Sequence, residues 1–224
     1  MEHREFKDRL YTQFARLGHA VSTPKRLELL DLLAQGEKTV EHLAEQSCTA
    51  IKNTSAHLRV LRQAGLVDFR REGAYVRYRL ADEYVAEFLL ALQSLGRQRY
   101  SEVREVVDAH LERRDEMEPI GPAELRRRLA AGDVTLLDVR PADEFAAGHI
   151  PGAISIPVDQ LTARAATLPK GKKIVAYCRG PYCVMAVDAV ELLRRRGYRA
   201  RRLTDGVPGW RARGYPVVRG SRAS

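Results

Sequence analysis

Apolar positions recur every three to four residues through the first half of the chain, and in the second half they come as short runs between helical stretches. Residues 5–18 and 24–35 are predicted to be helices. The second opens on Ser22-Thr23-Pro24, a capping residue followed by proline in the first turn, and closes at Gly36. Residues 40–46 form a shorter third helix. Residues 51–64 form a fourth, with Ile51, Leu58, Leu61 and Ala64 at helical spacing and Gly65 as terminator. The period then switches to two: residues 66–80 alternate apolar and polar about Glu72-Gly73, which predicts a hairpin. A long helical stretch follows from 82 to about 114, apolar at Val85, Phe88, Leu89, Leu92, Leu95, Val103, Val106, Val107 and Leu111. It is longer than a small domain needs.

From residue 121 to 220 the pattern is that of α/β units, with strands expected at 134–139, 153–156, 173–177 and 199–203 and helices at 123–131, 159–168 and 183–196. The sheet is expected to be mainly parallel. Cys178 falls directly after a strand and before a helix, on a loop with Gly180 and Pro181. Such a turn aims backbone N–H groups and the positive end of a helix dipole at one spot, which lowers a thiol's pKa and holds anions.

Length and composition fit this division. At roughly 100 to 150 residues per domain, 224 residues suggest two. With 45% hydrophobic and 30% charged residues the chain is too apolar to be wholly disordered. No run reaches the ~18 apolar residues of a membrane span, and the first ten residues lack a secretory apolar core, so a cytoplasmic location and no membrane partner are expected. Three cysteines, Cys48, Cys178 and Cys183, are too few for a disulfide scaffold. The net charge of +9 is unevenly placed: residues 1–117 hold 19 basic and 19 acidic side chains, residues 118–224 hold 19 and 10. Local charge is more telling. Residues 52–79 carry seven basic and two acidic side chains. The clusters Arg126–Arg128, Arg194–Arg196 and 199–202 read as solvated helix faces, or as attractors of small anions.

Three helices, a basic fourth helix after a short turn and a two-stranded wing make a winged helix-turn-helix. Leu43-Ala-Glu-Gln-Ser47 and Asn53-Thr-Ser-Ala-His-Leu-Arg-Val-Leu-Arg-Gln-Ala-Gly-Leu-Val67 resemble the ArsR-type bacterial repressors. The resemblance implies a homodimer, built on the first and last helices, that presents two recognition helices to a palindromic operator in double-stranded DNA. It assigns Lys52, Asn53, Ser55 and His57 to base edges or nearby phosphates, Arg59 and Arg62 to the backbone, and Arg70, Arg71 and Arg77 on the wing to the phosphate ridge or minor groove. Many proteins resembling this half sense metals. Here the third helix has no cysteine pair and the six histidines show no ligand spacing, so neither metal nor cofactor is expected. Cys48 reads either as a small buried residue or as a thiol able to report to the recognition helix.

The second half matches another family. Leu137-Asp-Val-Arg140, Glu144-Phe145, Gly148-His-Ile-Pro-Gly-Ala153, Ala176-Tyr-Cys-Arg179 and Asp205-Gly-Val-Pro-Gly-Trp210 resemble the rhodanese, or sulfurtransferase, domain. The resemblance implies that Cys178 takes sulfane sulfur as a persulfide, cradled by the amides of residues 179–183. Asp138 and Arg140 brace the loop or form a structural salt bridge. Many rhodaneses end this loop with an arginine for the donor's anionic oxygens. Cys183 stands there instead, so either Arg179 supplies the charge or the donor is a persulfide or polysulfide rather than thiosulfate. The spacing also allows Cys183 to attack a modified Cys178 and close a disulfide.

The expected organisation is therefore a mainly α winged helix-turn-helix DNA-binding and dimerisation domain (1–113), a linker (114–120) and an α/β rhodanese-like domain (121–220). The expected function is a dimeric regulator sensing reactive sulfur or oxidant through Cys178, with Cys183 resolving. The alternatives are a working sulfurtransferase with an autoregulatory DNA-binding half, and a catalytically silent domain that supports the dimer.

Overall fold

The computed structural model describes residues 2–112 and 119–220. Most of the expected linker, and Arg114 at the end of the expected long helix, lie outside the described residues. The chain separates into two compact units, Met1–Leu89 and Leu90–Ser224.

The first unit runs α1 (Glu2–Ala20), α2 (Pro24–Leu33), β1 (Lys38–Thr39), α3 (Val40–Gln46), α4 (Ile51–Gln63), β2 (Val67–Glu72) and β3 (Tyr75–Leu80), and holds the first turns of α5 (Glu83–Arg99). Leu29, Leu30, Leu33, Leu43, Leu58, Leu61, Val67, Val85 and Leu89 form its core. The Thr39 hydroxyl accepts the His42 amide at the start of α3, satisfying one of the donors that a helix start leaves open. Gly65, at φ +73°, ends α4; its neighbour Leu66 donates back to the Leu61 carbonyl at 2.9 Å, an ending that favours glycine. The hairpin is present as the alternation predicted, but its turn is Gly73-Ala74, one residue later than Glu72-Gly73, and it pairs Val67 with Leu80 through Glu72 with Tyr75. Strand β1 pairs with β3 and was missed, because two residues carry no readable period. On α1, Phe6, Leu10, Tyr11, Phe14 and Leu17 are exposed, an apolar face uncovered within one chain.

The second unit takes up the later turns of α5, then α6 (Ser101–Val107) and a π-helical turn at Asp108–Glu112. The expected single helix is thus interrupted, at Tyr100, which adopts an extended backbone. After it come α7 (Pro122–Ala130), β4 (Val134–Asp138), α8 (Ala142–Ala147), β5 (Ile154–Ser155), α9 (Leu161–Arg164), β6 (Lys173–Tyr177), α10 (Met185–Arg195), β7 (Ala200–Arg202) and α11 (Val207–Ala212). The four strands are parallel in the order β5-β4-β6-β7, and Ile120 adds a bridge to Leu203 beyond β7. Strands β4 and β6 are buried along nearly their whole length, as parallel strands covered on both faces must be. From β4 the chain moves outward to β5, and from β6 it moves the other way to β7. The order reverses between the two central strands, and open α/β sheets bind ligands outside the carboxyl ends of the strands at such a point. Cys178 follows β6 there, and Val139-Arg140 follows β4.

Candidate functional site

In the first unit, α4 buries Thr54, Leu58 and Leu61 and exposes Lys52, Asn53, Ala56, Arg59 and Arg62. Lys52, Ala56 and Arg59 fall at helical spacing on one face, while Ser55 and His57 are half-buried beside it. The Arg62 guanidinium lies 4.4 Å from the centre of the Phe69 ring, so this side chain stacks on the wing. The wing arginines carry acidic partners. Arg70 donates to Glu37 at 2.8 Å and lies 3.5 Å from Glu72, and Arg77 also donates to Glu72. Glu37, 33 residues from Arg70 in sequence, was missed as a wing residue. Arg71 is exposed on β2. Cys48 is exposed rather than buried; it sits in the turn between α3 and α4 at φ +49°.

In the second unit, Asp138 and Arg140 form a fully buried pair, each side chain 0% exposed. The Arg140 guanidinium donates to both Asp138 oxygens and to the Gly148 carbonyl at 2.7 Å, and the Arg140 amide donates to Asp138 Oδ1 at 3.0 Å. Burial works against the Arg140 charge, but the attraction and hydrogen bonds of Asp138 outweigh it and raise its pKa. The pair clamps Tyr177: Val139 donates to its carbonyl, Arg140 lies 5.6 Å from its ring centre, and its hydroxyl accepts the Ile150 amide. Asp138 and Arg140 therefore fix the residue before Cys178 rather than reaching its sulfur.

Cys178 is 2% exposed and packs among Leu137, Ala176 and Ala186, while Cys183 is half-buried. The expectation of an ionised Cys178 meets this burial, which pushes its thiol well up. The proximity of Cys183 adds to that, and the amides of Ala186 and Gly180 pull the other way. Cys183 is lowered to about 7, first because Cys178 donates a hydrogen bond to its sulfur, with the amides of Arg179 and Met185 helping against burial. The Cys178 S–H also has the Cys183 carbonyl oxygen at 3.4 Å. One proton serves one acceptor at a time. Of the two thiols Cys183 is thus the readier to ionise, and the amide cradle expected for one cysteine is divided between two.

The Arg179 guanidinium does not stand open to a donor. It forks onto Glu144 at 2.7, 3.0 and 3.1 Å, and Glu144 is itself buried on α8. A second brace comes from the loop before α11. The carboxylate of Asp205 accepts the Gly206 amide at 2.9 Å and is paired with Arg213. A Cβ at Gly206 would lie 2.2 Å from the Arg179 carbonyl oxygen, so glycine alone allows this approach. Glu144 and the 205–206 pair appear in the sequence as motif residues; their part in the site comes from non-local contacts, 35 residues apart for Glu144 and Arg179 and 27 for Arg179 and Gly206.

A model of the "Bacterial regulatory protein, arsR family" matches residues 23–68, and a "Rhodanese-like domain" model matches residues 121–213. The "HTH-type transcriptional regulator Rv0324" of Mycobacterium tuberculosis is 46% identical over 215 residues, covering 96% of this chain and 94% of its own. The chain is an ArsR-family transcriptional regulator with a rhodanese-like domain. Two further relatives each align with one half of this ArsR-family regulator. A "Sulfurtransferase" of Allochromatium vinosum is 35% identical over 96 residues, 42% of this chain and 88% of its own. The solution structure of the homodimeric winged helix-turn-helix domain of Mb0332 from Mycobacterium bovis is 40% identical, covers 43% of this chain and 89% of its own, and has a TM-score of 0.41. Among the described residues of the regulator no helix is long and apolar enough to cross a membrane, and no three His, Cys, Asp or Glu residues gather to hold a metal ion.

Proposed function

We propose that this regulator binds operator DNA as a homodimer and leaves it when the Cys178–Cys183 pair reacts with sulfane sulfur. The exposed face of α4 carries the base-reading and phosphate-contacting side chains Lys52, Asn53 and Arg59, with Ser55 and His57 beside them and Arg62, Arg70, Arg71 and Arg77 toward the wing. The uncovered apolar face of α1 is the surface that a second copy buries.

The observation that carries the sensing step is the placement of two cysteines on one loop at the strand-order reversal, with the Cys178 thiol donating to the Cys183 carbonyl at 3.4 Å; the lowered Cys183 pKa supports it. The pair's thiolate attacks a sulfane sulfur of a polysulfide. An S–S bond of the polysulfide breaks, a shortened polysulfide anion leaves, and the cysteine becomes a persulfide. The second thiol gives up its proton and attacks the cysteine sulfur of that persulfide, expelling hydrosulfide. Two thiols have lost two electrons to the released sulfur, and a Cys178–Cys183 disulfide remains. With Arg179 tied to Glu144, a polysulfide or persulfide suits the loop better than thiosulfate, whose sulfonate oxygens need a cation.

Intact mass and operator affinity, measured before and after polysulfide treatment, test this reading. The wild type is expected to lose about 2 Da and release DNA, whereas Cys178→Ser and Cys183→Ser gain sulfur in steps of about 32 Da and stay bound. Release that persists in both variants would overturn it. A second reading, sulfurtransferase turnover, is favoured by the placement of Cys178 at the end of β6; multiple-turnover transfer from a persulfide donor to a thiol, abolished by Cys178→Ser, would establish it.

A further inference from the structure

We infer that Tyr182 is the positioning residue through which the cysteine loop acts on the α5–α6 segment. Tyr182 is the immediate neighbour of Cys183, yet its side chain leaves the loop. Its hydroxyl donates to the Gln93 carbonyl of α5 at 3.3 Å, and the charge of Arg97, one turn on, acts on the same hydroxyl. Its ring packs with Val103 against Val107, Leu111 and Val187. Val187 is 1% exposed on the first turn of α10, the helix that follows the loop. One side chain of the cysteine loop thus joins a hydrogen bond to α5 with an apolar contact to α6 and the π-helical turn after it. The first turns of the helix it touches carry Val85 and Leu89, core side chains of the first unit.

The inference rests on the sensing reading above. Closing the disulfide replaces a non-bonded approach of the two sulfurs with a bond of about 2.0 Å and fixes its dihedral near ±90°. The ring so formed encloses Arg179, Gly180, Pro181 and Tyr182. Arg179 is pinned to Glu144, and the backbone of Cys178 and Arg179 lies against Gly206 with no room for a side chain there, so that end of the loop resists displacement. Pro181 is stiff at φ. The displacement falls on Tyr182 and Cys183, and the Tyr182–Gln93 hydrogen bond is the contact that it breaks. Oxidation therefore frees the later turns of α5 from the loop. The two states differ in their contacts with a specific helix, as any coupling of loop chemistry to a distant affinity requires.

The test compares full-length wild type, Tyr182→Phe and Tyr182→Ala under reducing conditions and after polysulfide. Tyr182→Phe removes the hydroxyl and little else. It is expected to form the same disulfide by mass and to shrink the ratio of reduced to oxidised operator affinity by about fivefold, the scale of one net hydrogen bond. Amide hydrogen exchange in residues 93–99 should rise on oxidation in the wild type and be high in both states of Tyr182→Phe. Tyr182→Ala should deepen the same effects. If wild type responds and Tyr182→Phe matches it in both affinity ratio and exchange, this inference is overturned while the sensor stands. If wild type itself forms the disulfide without releasing DNA, the sensing reading has failed first.

Discussion

Arg140→Met removes one half of an ion pair that has no exposed surface, and its cost follows from what is left behind. Asp138 keeps the residue-140 amide but loses the guanidinium donors to its two oxygens, and the Gly148 carbonyl loses its donor as well. Leaving one partner of a buried pair uncompensated costs about 3–5 kcal/mol. For a unit of this size, Leu90–Ser224, at about 4 °C per kcal/mol, the midpoint of thermal unfolding should fall by about 12–20 °C. The chain supplies its own probe. Trp210 is its one tryptophan and lies 2% exposed in the second unit, so tryptophan emission in a denaturant titration follows that unit. A double variant, Asp138→Leu with Arg140→Met, removes the stranded carboxylate and should be less destabilised than Arg140→Met alone. A loss under about 1 kcal/mol for the single variant, or a double variant whose loss is the sum of the two singles, would refute the account of Asp138 and Arg140 as a clamp on Tyr177.

Two further predictions concern the loop itself. Gly206→Ala places a carbon against the Arg179 and Cys178 carbonyl oxygens at 2.2 and 2.6 Å, so it should destabilise the second unit by about 1–3 kcal/mol and change the alkylation rate of the cysteine pair; a variant with wild-type stability and alkylation would show that the two loops are not in contact. In a Cys48→Ser background, which removes the exposed third thiol, iodoacetamide should label one sulfur of the pair with a rate that rises with pH, because the thiolate is the reacting form. Half its plateau should be reached near the value of about 7 to which Cys183 is lowered, and a midpoint above 9 would contradict that lowering.

The elements that set the fold were legible because their periods are long enough to read. Thirteen residues of α4, six-residue strands β2 and β3, and the apolar runs of β4 and β6 each fill a window in which 3.6 and 2 are distinguishable. What escaped is short or non-local. The two-residue β1, and α8 with only six residues between Pro141 and Gly148, offer too few positions, and the apolar spacing on either side of Tyr100 continues as if the helix did. The cysteine loop was placed correctly at the end of β6, but its electrostatics were not. A strand-to-helix turn reads the same whether the sulfur looks outward or into the core, and no local pattern links Arg179 to Glu144 or turns the Cys178 thiol toward Cys183.

The Arg179–Glu144 fork also bears on how a reagent arrives. A fixed cation beside a thiolate draws anions from several ångströms away, and salt slows that approach. Here the guanidinium whose charge acts on Cys183, that of Arg179, is matched by a carboxylate, so its field fades within a short distance. Under the sensing function proposed above, recognition is left to contact range, where amide hydrogens and sulfur polarisability decide, and a reagent is chosen by its chemistry once it has collided rather than gathered by its charge beforehand.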